Sequence, residues 1–295
     1  MQLAYPLEQF RTDFAHHVEF LKNCTVDQIP LYVMLGREAR EHWFGAGTSL
    51  DYIADLLRDQ VGEIRGQGLA IDLLYGGGGL AQTILDNPEE QEEWGFLCAL
   101  SAQLDVKLLG LGLPNPPREE GDAAFMDNLV GGYQWLADRA ADHGLRICSH
   151  HGVDFGRRFY NLEDYEELFD RIARPNCGLL FCFGNISLAE IDVPEAIRRL
   201  RQWVFAVHVR QTTGCFAGES EERQLHSGEV DLVACLRTLQ EIGYDGVLHP
   251  EHFGKFSTAP APESRDLWGQ LGLEPDGATL AWNLAYLRGL MDAVL

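Results

Sequence analysis

The heptapeptide CGLLFCF occupies residues 177–183 and contains no charged side chain. A run of this length and composition is typical of a strand that is covered on both faces, as in a parallel β-sheet. The runs LRICSH at 145–150, WVFAVHV at 203–209 and GVLHPE at 246–251 lie on either side of it and are nearly as apolar. These four runs predict consecutive parallel strands.

The same alternation continues toward the N-terminus. Short apolar runs predict further strands near residues 2–5, 30–35, 68–74 and 106–112. Amphipathic segments between the runs predict helices near residues 49–65, 87–103, 121–143, 162–174, 193–201, 231–242 and 277–293. Strands and helices that alternate in this way indicate a (β/α)8 TIM barrel. An open doubly wound sheet has the same local pattern and is the alternative.

Turn-forming and capping residues predict two loops and the start of one helix. The run Gly76–Gly79 predicts a loop at the barrel mouth, after the third strand. Asp231, in the sequence SGEVD, is expected to cap the helix that follows it. Residues 254–276 contain few periodic apolar residues and predict a long loop after the last strand. No linker divides the chain, so that one domain is expected over residues 1–295.

Charge and composition restrict the partners of the protein. The chain of 295 residues has a formal net charge of −22, which disfavours binding to nucleic acid or to an anionic membrane surface. No apolar run is long enough for a membrane span, and the N-terminus lacks a secretory pattern. The seven cysteines are scattered without a CxxC pair, as expected of reduced thiols in the cytoplasm.

Side chains that bind metals lie at the ends of four successive predicted strands. They are His150, Cys182, His208 and Glu251. In a (β/α)8 barrel the carboxyl ends of the strands form one face, where functional groups collect. Imidazole, thiolate and carboxylate together suit a divalent ion of the first transition row, such as zinc, manganese, iron or cobalt. The sequence therefore predicts one metal site.

Each of these side chains also has a structural alternative. Cys182 lies in an apolar strand, where a cysteine is often a small buried apolar residue. His150 and His151 are adjacent, so that strand alternation allows only one of them to face a shared site.

Two further residues near the set could do chemistry. Arg210 is placed to bind a carboxylate, and His252 to act as a general acid or base.

The C-terminal half resembles the mannonate dehydratase family within the xylose isomerase-like barrel superfamily. The similar stretches are LRICSHHGVD, CGLLFCFGN, FAVHVRQT and HSGEVDLVACLRTLQEIGYDGVLHPEH, with the closing LAYLRGL. The resemblance implies a divalent ion, usually manganese, with zinc, iron, cobalt or magnesium as alternatives. It implies His150, Cys182, His208 and Glu251 as the ligands. It also implies that Arg210 follows the second histidine ligand and that His252 acts in acid–base catalysis.

The chain departs from the family pattern at four places. Glu251 replaces an aspartate, and His249 replaces an arginine. Residues His151-Gly152-Val153 replace a Pro-Asp-Asp stretch, and Glu274-Pro275-Asp276-Gly277 replaces a Pro-Gly-Tyr stretch whose tyrosine serves in acid–base catalysis. The resemblance therefore implies a metal site with an altered catalytic apparatus.

Three functions are compatible with these features. The first is a metal-dependent lyase that dehydrates a sugar acid, in the manner of a mannonate dehydratase. The second is a metal-dependent isomerase or epimerase of an uncharged sugar, and the third is a barrel that binds a sugar acid or a metal without catalysis. In each case the expected partner is a small molecule, and a homo-oligomer is compatible with the sequence.

Overall fold

The barrel is built from an eight-stranded sheet in which every pair of neighbouring strands is parallel. A computed structural model describes residues 1–5, 14–33, 35–79, 84–118, 122–151, 157–251 and 277–294. The strands are β1 (Gln2–Leu3), β2 (Leu31–Tyr32), β3 (Leu73–Gly79), β4 (Leu108–Gly112), β5 (Arg146–His150), β6 (Cys177–Cys182), β7 (Val204–Val209), β8 (Gln211–Gly214), β9 (Ser220–Arg223) and β10 (Val247–Pro250). The sheet order is β1-β10-β7-β6-β5-β4-β3-β2, while β8 and β9 form a separate antiparallel hairpin.

Backbone pairing just before β2 closes the sheet into a barrel. Gln28 forms parallel bridges to Ala4, which follows β1, and to Ala70, which precedes β3. The amide of Ile29 also donates to the carbonyl of Ala70 at 2.9 Å. The two ends of the sheet therefore meet at Gln28. The (β/α)8 barrel is confirmed, and the alternative of an open doubly wound sheet is wrong.

Helices follow most of the strands and cover the outside of the barrel. They are α1 (Phe14–Asn23), α2 (Arg37–Phe44), α3 (Leu50–Gly66), α4 (Pro88–Gln103), α5 (Asp122–Ala141), α6 (Leu162–Ile172), α7 (Phe183–Leu188), α8 (Val193–Leu200), α9 (Leu232–Glu241) and α10 (Gly277–Val294). Short 3-10 helices lie at Ile84–Asp86 and Arg201–Trp203. Among the helices in the described ranges, none has the length and apolar character needed to cross a bilayer.

Local capping fixes where several of these helices begin. The Ser49 hydroxyl accepts from the amide of Tyr52 at 3.2 Å, at the start of α3. Asp231, the expected cap of α9, accepts from the amide of Ala234 at 2.9 Å. Each bond satisfies one of the backbone donors that the first turn of a helix leaves unpaired.

The glycine run belongs to a strand, and the expectation of a loop over Gly76–Gly79 is wrong. These residues are the last part of β3, and Gly79 is in register with Gly112 of β4. A Cβ atom on Gly76 would lie 2.6 Å from the indole of Trp94. The absent side chain thus lets α4 pack close to the strand backbone. The third strand therefore covers Leu73–Gly79, several residues later than the predicted range 68–74.

Small and medium apolar side chains fill the interior of the barrel below its carboxyl end. Leu73, Cys148, Leu180 and Ala206 pack together there, one from each of four strands. All four are buried. Because side chains alternate along a strand, the next inward-facing residues lie two positions nearer the carboxyl end. There, polar side chains take the place of apolar ones. One domain over residues 1–295 stays a prediction.

Candidate metal centre

Four side chains with metal-binding atoms meet at the carboxyl ends of adjacent barrel strands. His150 is the last residue of β5, and Cys182 is the last residue of β6. His208 is the penultimate residue of β7, and Glu251 directly follows β10. Because these strands are neighbours in the sheet, their register brings the four side chains to one end of the barrel.

The possible ligand atoms all lie within 4.8 Å of one another. Sγ of Cys182 is 3.3 Å from Oε1 of Glu251, and Nδ1 of His208 is 2.9 Å from Oε2. Nε2 of His150 is 3.8 Å from Oε1 of the same carboxylate. The rings of His150 and His208 have centroids 4.6 Å apart. Glu251 therefore lies between the other three donors.

Burial sets the protonation of two of the donors. Burial, and then the neighbouring Glu251 carboxylate, raise the pKa of the Cys182 thiol to about 12. Burial lowers the pKa of His208 to about 4, although the Glu251 carboxylate opposes this shift. At neutral pH, Cys182 is therefore a thiol that donates toward Glu251, and His208 is a neutral imidazole. The imidazole is ready to bind a metal ion, whereas the thiol must first lose its proton.

The donor set fits a divalent metal ion. Nε2 of His150 is a buried nitrogen atom that makes no hydrogen bond within the described residues. A buried polar atom without a partner costs free energy, and a metal ion would satisfy this one. Two imidazoles, a thiolate and a carboxylate form a ligand set that suits a first-row transition ion.

His151 turns away from this cluster and supports it. Its side chain is buried, and its Nε2 accepts a hydrogen bond of 2.8 Å from the backbone amide of Cys182. Its carbonyl accepts from Nδ2 of Asn185 at 2.7 Å. Burial lowers the pKa of His151 well below that of a free histidine, and so the ring is neutral. His151 therefore ties the end of β5 to the end of β6.

Arg210 lies beside the cluster, but its guanidinium group already has partners. Its Nε donates to Oε2 of Glu222 at 2.9 Å, and its Nη2 donates to Oε1 of the same carboxylate. Its Nη1 donates to Oδ1 of Asn185 at 2.6 Å. The expected carboxylate partner of Arg210 is thus provided, in this structure, by the protein itself.

The sequence did not predict the hairpin that carries Glu222. Strands β8 and β9 are short and mostly polar, so that they lack the apolar alternation that marks a buried strand. Gly214 has a positive φ of 80°, which is a turn signal within the segment.

A second buried pair, between His249 and Asp72, lies inside the barrel near the cluster. Nε2 of His249 is 2.9 Å from Oδ2 of Asp72, and their side chains are 2% and 5% exposed. The rings of His249 and His208 have centroids 5.7 Å apart. Asp72 lies just before β3 and far from His249 in the sequence, so that no local pattern relates them.

His252, the predicted acid or base, lies outside the described residues, as does the predicted loop 254–276. Its role stays a prediction. Its neighbour Glu251 is the last described residue before that segment and is 7% exposed.

The chain is similar in sequence to mannonate dehydratases over less than half of its length. A mannonate dehydratase from Oceanobacillus iheyensis is 29% identical over 136 residues, which are 45% of this chain and 36% of that protein. The match to this relative therefore spans little more than a third of its length. At the level of fold, the mannonate dehydratase from Streptococcus suis has a TM-score of 0.76 at 14% identity, covering 99% of this chain and 94% of that chain.

An epimerase has nearly the same fold. The D-psicose 3-epimerase from Clostridium cellulolyticum H10 has a TM-score of 0.72 at 14% identity, covering 100% of this chain and 99% of that chain. The family described as xylose isomerase-like TIM barrel matches residues 45–271, most of the chain. The closed barrel agrees with that match. The chain belongs to the xylose isomerase-like TIM barrel family.

Proposed function

We propose that this protein is a metal-dependent lyase that dehydrates a sugar acid, as mannonate dehydratases do. The observation that carries the proposal is the cluster of His150, Cys182, His208 and Glu251, whose ligand atoms lie within 4.8 Å of one another. The similarity to curated mannonate dehydratases supports the same substrate class.

His150, Cys182, His208 and Glu251 would hold the ion, with manganese as the first choice and zinc, iron, cobalt or magnesium as alternatives. A bound divalent ion supplies Lewis-acid polarisation of a substrate carboxylate and hydroxyl. The protein contributes a buried and rigid frame, since three of the donors are at or near the ends of hydrogen-bonded strands. Glu251 provides the negative charge and Cys182 a second one after it loses its proton.

The reaction needs two proton transfers. A base removes the proton on the carbon next to the carboxylate, and an acid protonates the hydroxyl that leaves from the following carbon. Water is lost, and the resulting enol becomes a 2-keto-3-deoxy acid. We propose His252 for one of these transfers and Arg210 for holding the substrate carboxylate.

The pairing of Arg210 with Glu222 supports a second candidate, an isomerase or epimerase of an uncharged sugar. A guanidinium neutralised by an internal carboxylate leaves no net positive charge for an acidic substrate. Such an enzyme would use the same metal and the same removal of a proton next to a carbonyl, but no hydroxyl would leave.

One experiment in D2O separates the two candidates. The metal-loaded protein is incubated with mannonate or with an uncharged ketose, and the mixture is followed by NMR spectroscopy and mass spectrometry. A dehydratase forms a 2-keto-3-deoxy acid that carries deuterium on C3. An isomerase or epimerase incorporates deuterium without losing water. Cys182→Ser should abolish either reaction.

Cys177→Ser is the matched control for that variant. Cys177 is also buried in β6, but at the opposite end of the strand. It should therefore reproduce the packing cost of the substitution and leave the metal centre intact. Metal binding without any reaction would contradict both candidates and favour the non-catalytic barrel.

A further inference from the structure

The stem of Arg210 and one nitrogen atom of its guanidinium are anchored to the segment that follows β6. A Cβ atom on Gly184 would lie 2.6 Å from Cγ of Arg210, so that the arginine stem crosses the backbone just after Cys182. Nη1 is held by Oδ1 of Asn185 at 2.6 Å, and Asn185 is itself bonded to the carbonyl of His151. These contacts fix the stem and one nitrogen atom of the guanidinium next to the metal ligands.

The remaining edge of the guanidinium, formed by Nε and Nη2, faces a carboxylate. Both oxygen atoms of Glu222 accept from this edge. This paired arrangement is the one in which arginine best recognises carboxylates, including those of substrates. The side chains of Arg210 and Glu222 are only 14% and 17% exposed, which strengthens the interaction by limiting its exposure to water.

Glu222 reaches Arg210 from a separate element. It lies on β9, which pairs with β8 in a two-stranded sheet distinct from the barrel sheet. Arg210, by contrast, directly follows barrel strand β7 and comes two residues after His208. The ion pair therefore joins the hairpin to the rim of the metal centre.

We propose that Glu222 is a specificity-determining residue: it occupies the carboxylate-binding edge of Arg210, and an acidic substrate must displace it. This inference rests on the proposed function, because it concerns a sugar acid at the same site. The Glu222 carboxylate therefore lowers the affinity of the site for acids. An uncharged polyol has no carboxylate and does not compete with Glu222 for Arg210.

Direct binding tests this inference without relying on turnover. Binding of mannonate to the manganese-loaded protein is measured by calorimetry for the wild type and for Glu222→Gln. The variant should bind mannonate at least about tenfold more tightly, because a neutral amide holds the guanidinium less strongly than a carboxylate does. Mannitol, which has the same carbon chain without a carboxylate, should bind both proteins equally.

Glu221→Gln is the matched control. Glu221 lies next to Glu222 on β9, is 64% exposed and pairs with Arg223 rather than with Arg210. The Glu221→Gln substitution removes the same charge from a strongly acidic protein. Its mannonate affinity therefore reports any general effect of net charge. A gain in Glu222→Gln that disappears when Arg210→Ala is added would support the displacement.

Three outcomes would overturn the inference. They are equal affinities of Glu222→Gln and Glu221→Gln for mannonate, no binding of mannonate by Glu222→Gln, and loss of manganese from Glu222→Gln. Loss of manganese would show that the Arg210–Glu222 pair holds the metal ligands in place and does not control the binding of acids. Tighter binding of mannonate by Glu222→Gln, without any dehydration, would support the inference and contradict the proposed function. Dehydration of mannonate together with equal affinities would support the proposed function and contradict the inference.

Discussion

The thiol of Cys182 lies 3.3 Å from Oε1 of Glu251, although the two residues come from strands separated in the sheet by β7. A proton donor thus faces a carboxylate inside a buried cluster, and the proton must leave before both groups can bind the same cation. For the proposed metal site, the protonation of this pair therefore sets the pH dependence of metal uptake.

Metal uptake should release about one proton per chain. Burial, followed by Glu251, raises the pKa of Cys182 to about 12, and so the thiol is protonated throughout the neutral range. Since the thiolate is the ligand, affinity should rise about tenfold for each pH unit between about pH 7 and pH 9. His208, whose pKa is lowered to about 4, is already neutral there and adds no proton.

Calorimetry in buffers of different ionisation enthalpy measures this proton. Cys182→Ser, which offers a hydroxyl that stays protonated, should bind the metal weakly and release none. An affinity that does not change with pH in the wild type would show that Cys182 is not a ligand.

His208→Ala should abolish metal binding and leave the fold intact. The substitution removes one donor of the cluster and leaves Glu251 without its partner at 2.9 Å. Elemental analysis of the purified protein measures the metal content, and circular dichroism verifies the fold. His16→Ala, at an exposed position on α1, controls for the loss of an imidazole. A full equivalent of metal in His208→Ala would refute the proposed site.

Arg210→Ala should weaken the binding of a sugar acid far more than the binding of the metal. Without the guanidinium, the acid loses a pair of hydrogen bonds and lies near the carboxylate of Glu222, whose charge is no longer neutralised. The affinity for the acid should therefore fall between about tenfold and a hundredfold. Titration of mannonate into metal-loaded protein measures the effect, with the metal content determined in parallel. An unchanged affinity for the acid would rule out a role for Arg210 in holding the carboxylate.

Asp72→Ala should lower the free energy of unfolding by about 3 kcal/mol, because it leaves His249 buried without its partner. The two side chains are nearly inaccessible and 2.9 Å apart. Urea denaturation measures the loss. The double variant Asp72→Ala/His249→Leu should recover much of it, because an apolar side chain needs no partner. Equal stability of the wild type and the single variant would contradict an energetic role for the pair.

The elements that could be predicted from the sequence are those with local signals. Helices α3 and α9 begin directly after Ser49 and Asp231, whose side chains cap the first turn, and their predicted starts were correct within one or two residues. The strands that carry the metal-binding side chains were recognised by their continuous apolar character. The gathering of those side chains followed from the rule that parallel strands present their carboxyl ends at one face.

The features that were missed depend on contacts distant in the sequence or on short polar segments. Asp72 and His249 pair across the barrel interior, and neither residue has a local pattern that identifies the other. Glu222 reaches Arg210 through a hairpin whose strands are only four residues long each. The glycine run of β3 predicts a loop from the sequence, because the benefit of an absent side chain at Gly76 becomes visible only when Trp94 is packed against it.

The order of the four donors along the chain has a consequence for biosynthesis. His150, Cys182 and His208 emerge from the ribosome before Glu251, which follows the strand that pairs with both β7 and β1. A nascent chain that lacks β10 can present only three of the donors. The complete set of four side chains therefore comes together only once the last barrel strand docks between β7 and β1.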